Sequence, residues 1–235
     1  MPDRADGGDR PPAEHPRFRA VVTDVDGTLT DASRRLDPAA VREVRRVEDC
    51  GIPVLLATGN VLPIALALYR SLGLSGPIVA ENGGMLYRKG PDGSEHVERL
   101  ADPRPARRAY DALVRAGLPV RRLFTDRWRE SEIALEPTIP VRRLRGALGP
   151  GRVAIESTGY AVHLMAPGAG KLPALRLALG HLGLTPKDCV ILGDGDNDVP
   201  MLRAAGFGVS FSSASLRARR AARYVTRASY SYGIQ

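Results

Sequence analysis

Four short stretches of the chain carry residue types that do chemistry. In "RAVVTDVDGTLTD" (19 to 31), an apolar run ends in Asp24 and Asp26. If the strand continues through them, both carboxylates point to one face, because strand side chains alternate with period two. Like charges placed together need a cation, a proton or open water to coexist. "TGN" (Thr58, Gly59, Asn60) follows a second apolar run, Lys171 opens a helical segment, and "GDGDND" (Gly193 to Asp198) follows another apolar run. A hydroxyl beside a free helix N-terminus and an ammonium group suit a phosphate. Two sets of acids suit a hard divalent cation, and Mg²⁺ favours one or two carboxylates with water and substrate oxygens. Together they describe a magnesium-dependent phosphoryl-transfer site.

Taken singly, each stretch has a plainer reading. "DVDG" reads as an acidic turn, "TGN" as an N-cap, and Lys171 as a surface lysine. "GDGDND" is not a calcium loop, since Val199 and Ala205 stand where that loop needs Gly and Glu. It is not a dinucleotide fingerprint either, because Asp198 replaces the packing glycine. "PGAGKL" lacks the first glycine and the terminal Ser or Thr of a phosphate-binding loop, with Met165 and Leu172 in those places. The chemical reading rests on the ordered set.

The elements that position these residues follow a strand and helix rhythm. Residues 18 to 24 form a buried strand. A helix spans 37 to 51, with Asp37 as N-cap and Pro38 in its first turn. "IPVLLAT" is a strand, 61 to 73 a helix and 76 to 80 a third strand. Continuous apolar runs separated by helices indicate a parallel sheet covered on both faces. From Gly84 the rhythm becomes antiparallel: a hairpin over "GMLYRKGPDGSEHVERL", a helix near 103 to 116, a strand at "SEIALEP", a short helix at "IPVRRLRGALG" and a hairpin over "RVAIESTGYAVHLMAP". The α/β rhythm resumes with a helix at 171 to 183, a strand at 189 to 193, a helix from Asn197, a strand at "GFGVSF", a helix at 214 to 221 and a last strand at "RYVT". Asp24 and Asp194 lie 170 residues apart, yet both directly follow an apolar strand. In an open parallel sheet the ligand crevice lies outside such strand ends, so the motifs converge there.

The organisation expected is therefore α/β: a Rossmann-like parallel-sheet core at 17–83 and 160–235, an inserted α+β cap at 84–159, and a polar, proline-rich leader at 1–16 that reads as disordered. The chain has 235 residues, 43% hydrophobic, enough for a sizeable core. No apolar run approaches the roughly 20 residues of a membrane span. The leader lacks the apolar centre of a signal peptide. Cys50 and Cys189 show no metal-like spacing and read as free thiols of a cytoplasmic protein. The net charge of +8 is scattered arginine without interleaved aromatics, which speaks against nucleic acid as the main partner. Of 34 basic residues only Lys89, Lys171 and Lys187 are lysines, which makes each of them of interest, since arginine cannot always replace a compact ammonium.

The order DxDGT, TGN, Lys, GDxxND resembles the haloacid dehalogenase-like (HAD) phosphatases, and the insertion resembles the cap of their Cof-like, type IIB members. "ATGNVLPIALALYRSLGLSGPIVAENGGMLY" is similar to the archaeal-type phosphoglycolate phosphatases. The resemblance implies Asp24 as nucleophile forming an aspartyl-phosphate, and Asp26 as general acid and base, its side chain off the metal and its carbonyl on it. It implies Thr58, Gly59 and Asn60 around the phosphoryl group, Lys171 as charge balance, and Asn197 in support at the substrate. Asp194 would complete the Mg²⁺ site, with Asp198 ligating through water or anchoring Lys171. The implied substrate is a small phosphorylated metabolite, 2-phosphoglycolate first, with a sugar phosphate or a phosphomannomutase-like reaction as alternatives. A non-catalytic, nucleic-acid-associated scaffold is the distant alternative. The protein would act as a monomer or homodimer.

Overall fold

A computed structural model describes residues 18–234. The expected leader at 1–16 lies outside the described residues. The larger sheet has eight strands: β1 (Ala20–Thr23), β2 (Val54–Ala57), β3 (Ile78–Ala80), β4 (Met85–Lys89), β5 (Glu95–Arg99), and further along the chain β9 (Cys189–Leu192), β10 (Phe207–Phe211) and β11 (Tyr224–Thr226). The order across the sheet is β11-β10-β9-β1-β2-β3-β4-β5. Pairing is parallel from β11 to β3 and antiparallel at β4 and β5. The chain runs from β1 outward to β2 and β3 on one side, then returns to place β9 on the other. That reversal between β1 and β9 is a topological switch point, where an open sheet leaves a crevice beyond its strand ends.

Both faces of the sheet are covered. Along β2, Val54 and Leu56 face one hydrophobic cluster while Leu55 and Ala57 face the other. The first cluster packs under α1 (Pro38–Asp49) and α2 (Leu62–Leu72). The second packs under α5 (Lys171–Gly180), α6 (Val199–Ala204) and α7 (Leu216–Ala221). The Asp37 side chain caps α1 by accepting from Ala39 N at 2.9 Å, as its sequence position foretells. No helix among the described residues is long and apolar enough to cross a membrane.

The smaller unit has a three-stranded antiparallel sheet in the order β6-β8-β7, made of β6 (Ile133–Leu135), β7 (Ala154–Ser157) and β8 (Val162–Met165). Helices α3 (Arg104–Arg115) and α4 (Val141–Leu148) share its hydrophobic core. Its limits differ from those read off the sequence, which put 84–159 in the insertion. The hairpin β4–β5 extends the large sheet, because Ile78 to Ala80 pair with Met85 to Tyr87 and complete the β3 edge. The strand β8 belongs to the small sheet, since it pairs on both sides with β6 and β7. A change from parallel to antiparallel pairing is not a change of domain, which moves the first boundary past β5; the pairing of β8 with β6 and β7 moves the second past Met165.

The two units are stitched together at Glu81. Its buried carboxylate accepts from the backbone amides of Glu130 and Ser131 and from the Ser131 hydroxyl at 2.6 Å. Gly83, in the turn between β3 and β4, packs against the segment that returns to the larger unit: a Cβ on Gly83 would lie 2.1 Å from the Gly170 carbonyl oxygen. Glu81→Ala is expected to lower unfolding free energy by roughly 2–4 kcal/mol, because it strands buried donors. Chemical denaturation measures that loss. Faster hydrogen exchange at 129–132, with exchange in α1 unchanged, would locate it at the junction.

Candidate active site

Three of the expected acids and the expected lysine meet beyond the ends of β1 and β9. Lys171 Nζ donates to Asp24 Oδ1 at 2.9 Å and to Asp198 Oδ1 at 2.7 Å. The lysine side chain is 1% exposed and that of Asp198 fully buried. The other oxygen of Asp198 accepts the backbone amides of Asp194 and Gly195 at 3.1 and 2.9 Å. Asp198 holds Lys171 with one oxygen and folds the Asp194 loop with the other. Burial pulls the Lys171 ammonium down, but Asp198 and Asp24 more than offset it and hold it above its ordinary range.

Asp194 faces Asp24 from the neighbouring strand end, with the Thr28 hydroxyl donating to it at 3.4 Å. Gly27 makes room for it. Its φ of +82° and a Cβ position 2.2 Å from Asp194 Oδ2 both demand glycine. Asp26 turns away from this group, as expected. It accepts from Asn60 Nδ2 at 2.6 Å and from Arg34 Nη2 at 3.4 Å. The Thr58 hydroxyl accepts the Asn60 amide at 3.0 Å, and Asn197 Nδ2 donates to Asn82 Oδ1 at 3.1 Å.

These residues surround one cavity of about 720 Å³ between the two units. Asp24, Asp26, Gly59, Asn60, Asp194 and Asn197 line it. Thr58, Lys171 and Asp198 are buried and outside the lining, packed against the residues that form the wall. The cation test is favourable. Asp24, Asp194 and Asp198 each offer a carboxylate oxygen, all within 4.8 Å of one another, and hard oxygen donors suit Mg²⁺. One lysine cannot neutralise three acids. Burial first, then Asp198, pushes the Asp194 carboxyl up to about 7. Burial likewise pushes Asp24 well above the usual range, against the pull of Lys171.

A model of the haloacid dehalogenase-like hydrolases matches residues 21–126 and 141–235. The chain belongs to this family. Among relatives, the phosphoglycolate phosphatase of Methanothermobacter thermautotrophicus is 38% identical over 217 residues, covering 92% of this chain and 96% of that protein. A solved protein of Thermoplasma acidophilum superposes with a TM-score of 0.83 at 28% identity, over 92% of this chain and 95% of its own. A sugar phosphatase of HAD subclass IIB matches with a TM-score of 0.71 over 89% and 93%; at 19% identity it shows the fold alone. The α/β fold read from the sequence is the fold of this family.

The sequence reading missed the residues through which the smaller unit of this hydrolase touches the site. Arg129 Nη1 donates to the Gly59 carbonyl at 3.0 Å and pairs with Glu132. Glu132 also accepts from Asn82 at 3.2 Å and bonds His163 Nδ1 at 2.9 Å. Burial would raise Glu132, but His163, Arg129 and Asn82 outweigh it and hold the carboxyl below its ordinary range. On the opposite side, Arg34 stacks over the Tyr160 ring at 4.2 Å while reaching Asp26. The polar run "ENGG" directly after an apolar strand was the available signal for Asn82. Nothing local marks Arg129 or Glu132.

The raised carboxyls predict how stability depends on metal. A carboxyl raised in the folded state stabilises it fully below its ordinary value of 3.8, and the contribution fades as pH rises through about 7. The metal-stripped protein is thus expected to lose on the order of 5 °C in Tm between about pH 5 and pH 7.5. Saturating Mg²⁺ should abolish that slope. Thermal scans with chelator or with Mg²⁺ compare the two, and parallel slopes would contradict the metal assignment.

Proposed function

We propose that this phosphatase hydrolyses a small phosphorylated metabolite with the help of Mg²⁺, and that 2-phosphoglycolate, giving glycolate and phosphate, is its substrate. The observation that carries the reading is Lys171 held between Asp24 and Asp198, with Asp194 facing Asp24 at the cavity wall. The archaeal relatives named phosphoglycolate phosphatase, 38% and 37% identical over more than nine tenths of this chain, support the substrate.

Asp24 attacks the phosphorus, and the bond to the leaving oxygen breaks as the aspartyl-phosphate forms. Asp26 gives that oxygen its proton, then takes one from the water that attacks the phosphorus and frees Asp24. Asn60 aims Asp26 through the 2.6 Å bond to its carboxylate. Thr58 and the amides of Gly59 and Asn60, just before α2, steady the phosphoryl oxygens. Lys171 grips one Asp24 oxygen and leaves the other free for attack. Asp24 and Asp194, with the Asp26 carbonyl, would hold Mg²⁺, which supplies positive charge against the phosphoryl oxygens and lets both carboxylates ionise. The smaller unit serves as a cap that closes over the site and excludes water.

Asp24→Asn should reduce hydrolysis of an aryl phosphate by at least about 10³-fold, since the nucleophilic carboxylate is lost while the shape of the side chain is nearly kept. Mg²⁺-dependent turnover retained in that variant would contradict the nucleophile. Asp26→Ala should slow esters with poor leaving groups far more than aryl esters, because only the former need a proton as the bond breaks. An equal loss across a leaving-group series would remove the acid role. A panel of phosphorylated metabolites, with and without Mg²⁺, tests the substrate: 2-phosphoglycolate should rank among the best by kcat/KM.

A further inference from the structure

Arg129 is a buried cation whose hydrogen bonds occupy only part of its guanidinium. Its side chain is 3% exposed, and the residue lines the cavity. Both bonds it donates, to the Gly59 carbonyl and to Glu132, leave from Nη1. Nε is buried and meets no acceptor among the described residues, and no acceptor there is bonded to Nη2. The Nε–Nη2 edge of an arginine is the side-on fork that matches the two oxygens of a carboxylate. Burying a guanidinium with that edge unused is costly unless an acceptor arrives.

The guanidinium is held from behind. Glu132, which pairs with Nη1, is shared with Asn82 and with His163, so its position is fixed from three sides. The other guanidinium lining the cavity, that of Arg34, is half exposed and already engaged with Asp26 and Tyr160. Position then limits length. Nη1 lies 3.0 Å from the carbonyl of Gly59, in the turn assigned above to the transferring phosphoryl group. A ligand that touches both this turn and the free edge must carry its second anionic group close to the phosphate.

We propose that Arg129 is the specificity-determining residue of this enzyme: its Nε–Nη2 edge receives the carboxylate of a short phosphorylated hydroxy acid whose phosphoryl group lies against Asp24. This rests on the phosphatase reading above and deepens it. A sugar phosphate offers neutral hydroxyls at that distance and leaves the edge without a counter-charge.

The test is a ratio of kcat/KM values, that for 2-phosphoglycolate over that for 2-hydroxyethyl phosphate, a matched ester with no carboxylate. It is measured in the wild type, Arg129→Met and Arg129→Lys. The wild type should favour the acid, and Arg129→Met should collapse the preference by roughly 10- to 150-fold, the worth of a charge-assisted hydrogen bond. The loss should fall mainly on KM for the acid. Arg129→Lys, which keeps charge without the fork, should recover part of it. A partly unfolded preparation lowers both rates together and leaves the ratio unmoved. If the wild type prefers the acid and both variants keep that preference, Arg129 is not the determinant, though the substrate stands. If the wild type shows no preference for the acid, the substrate reading fails and the role of Arg129 fails with it.

Discussion

The geometry of the site depends on one buried ammonium group shared between two carboxylates. Lys171 contacts Asp24 and Asp198 at 2.9 and 2.7 Å with almost no exposure to solvent. Breaking such a contact leaves an uncompensated buried charge, a far larger penalty than the pair's net worth. The surrounding backbone is therefore arranged to keep it. Lys171 opens α5, whose apolar face packs on the sheet, and that packing sets the lysine's height above the strand ends. Asp198 is fixed by two backbone amides of its own loop. Asp24 is fixed by β1, paired in register on one side with β2 and on the other with β9. The excess negative charge that remains, on Asp24 and Asp194, is a consequence of the fold and the reason a divalent cation fits it.

A second chain of contacts joins that centre to the smaller unit. Asn197, in the loop of the acids, donates to Asn82; Asn82 donates to Glu132; Glu132 holds Arg129 and His163; and Arg129 returns to the Gly59 carbonyl. The chain of contacts therefore runs from the loop of Asp194 and Asp198 through the smaller unit to the Thr58–Asn60 turn. Its pivot is a pair of left-handed residues, Glu81 with φ +50° and Asn82 with φ +52°. Non-glycine residues pay for that region, asparagine least. The strain is held by the hydrogen bonds of both side chains into the smaller unit.

How much of this the sequence discloses follows from the range of each interaction. Asp24, Asp26, Thr58, Lys171 and Asp194 were legible because each sits where an apolar run ends or a helix starts, and the parallel-sheet rule gathers such positions. The strands and most helices were legible from apolar runs and caps, as Asp37 and Pro38 show at α1. The limits of the insertion were not. The hairpin Met85–Arg99 looks the same in sequence whether it pairs with β3 or founds a separate sheet, and "VHLM" in β8 is as apolar as a core strand. Arg129 and Glu132 lie in a polar stretch of ordinary composition, and their partners at Gly59 and Asn82 are 70 and 50 residues away. Only the docking of the two units makes them visible.

The scarcity of lysine in this chain acquires a physical meaning from the same centre. Of 34 basic residues only three are lysines, and Lys171 is buried among acids. An arginine at its position would present a wide planar fork suited to one carboxylate edge-on. The site instead makes two contacts under 3 Å to carboxylates from two separate segments of the chain. A point charge with three rotating donors meets that demand. Arg129 is the complementary case: its Nη1 secures the residue while Nε, though buried, bonds no acceptor among the described residues. On the proposed reading the compact cation steadies the nucleophile Asp24 and the forked one receives the non-reacting end of the ligand. The two ends of a small anion would thereby be distinguished by the shape of the charge that meets them.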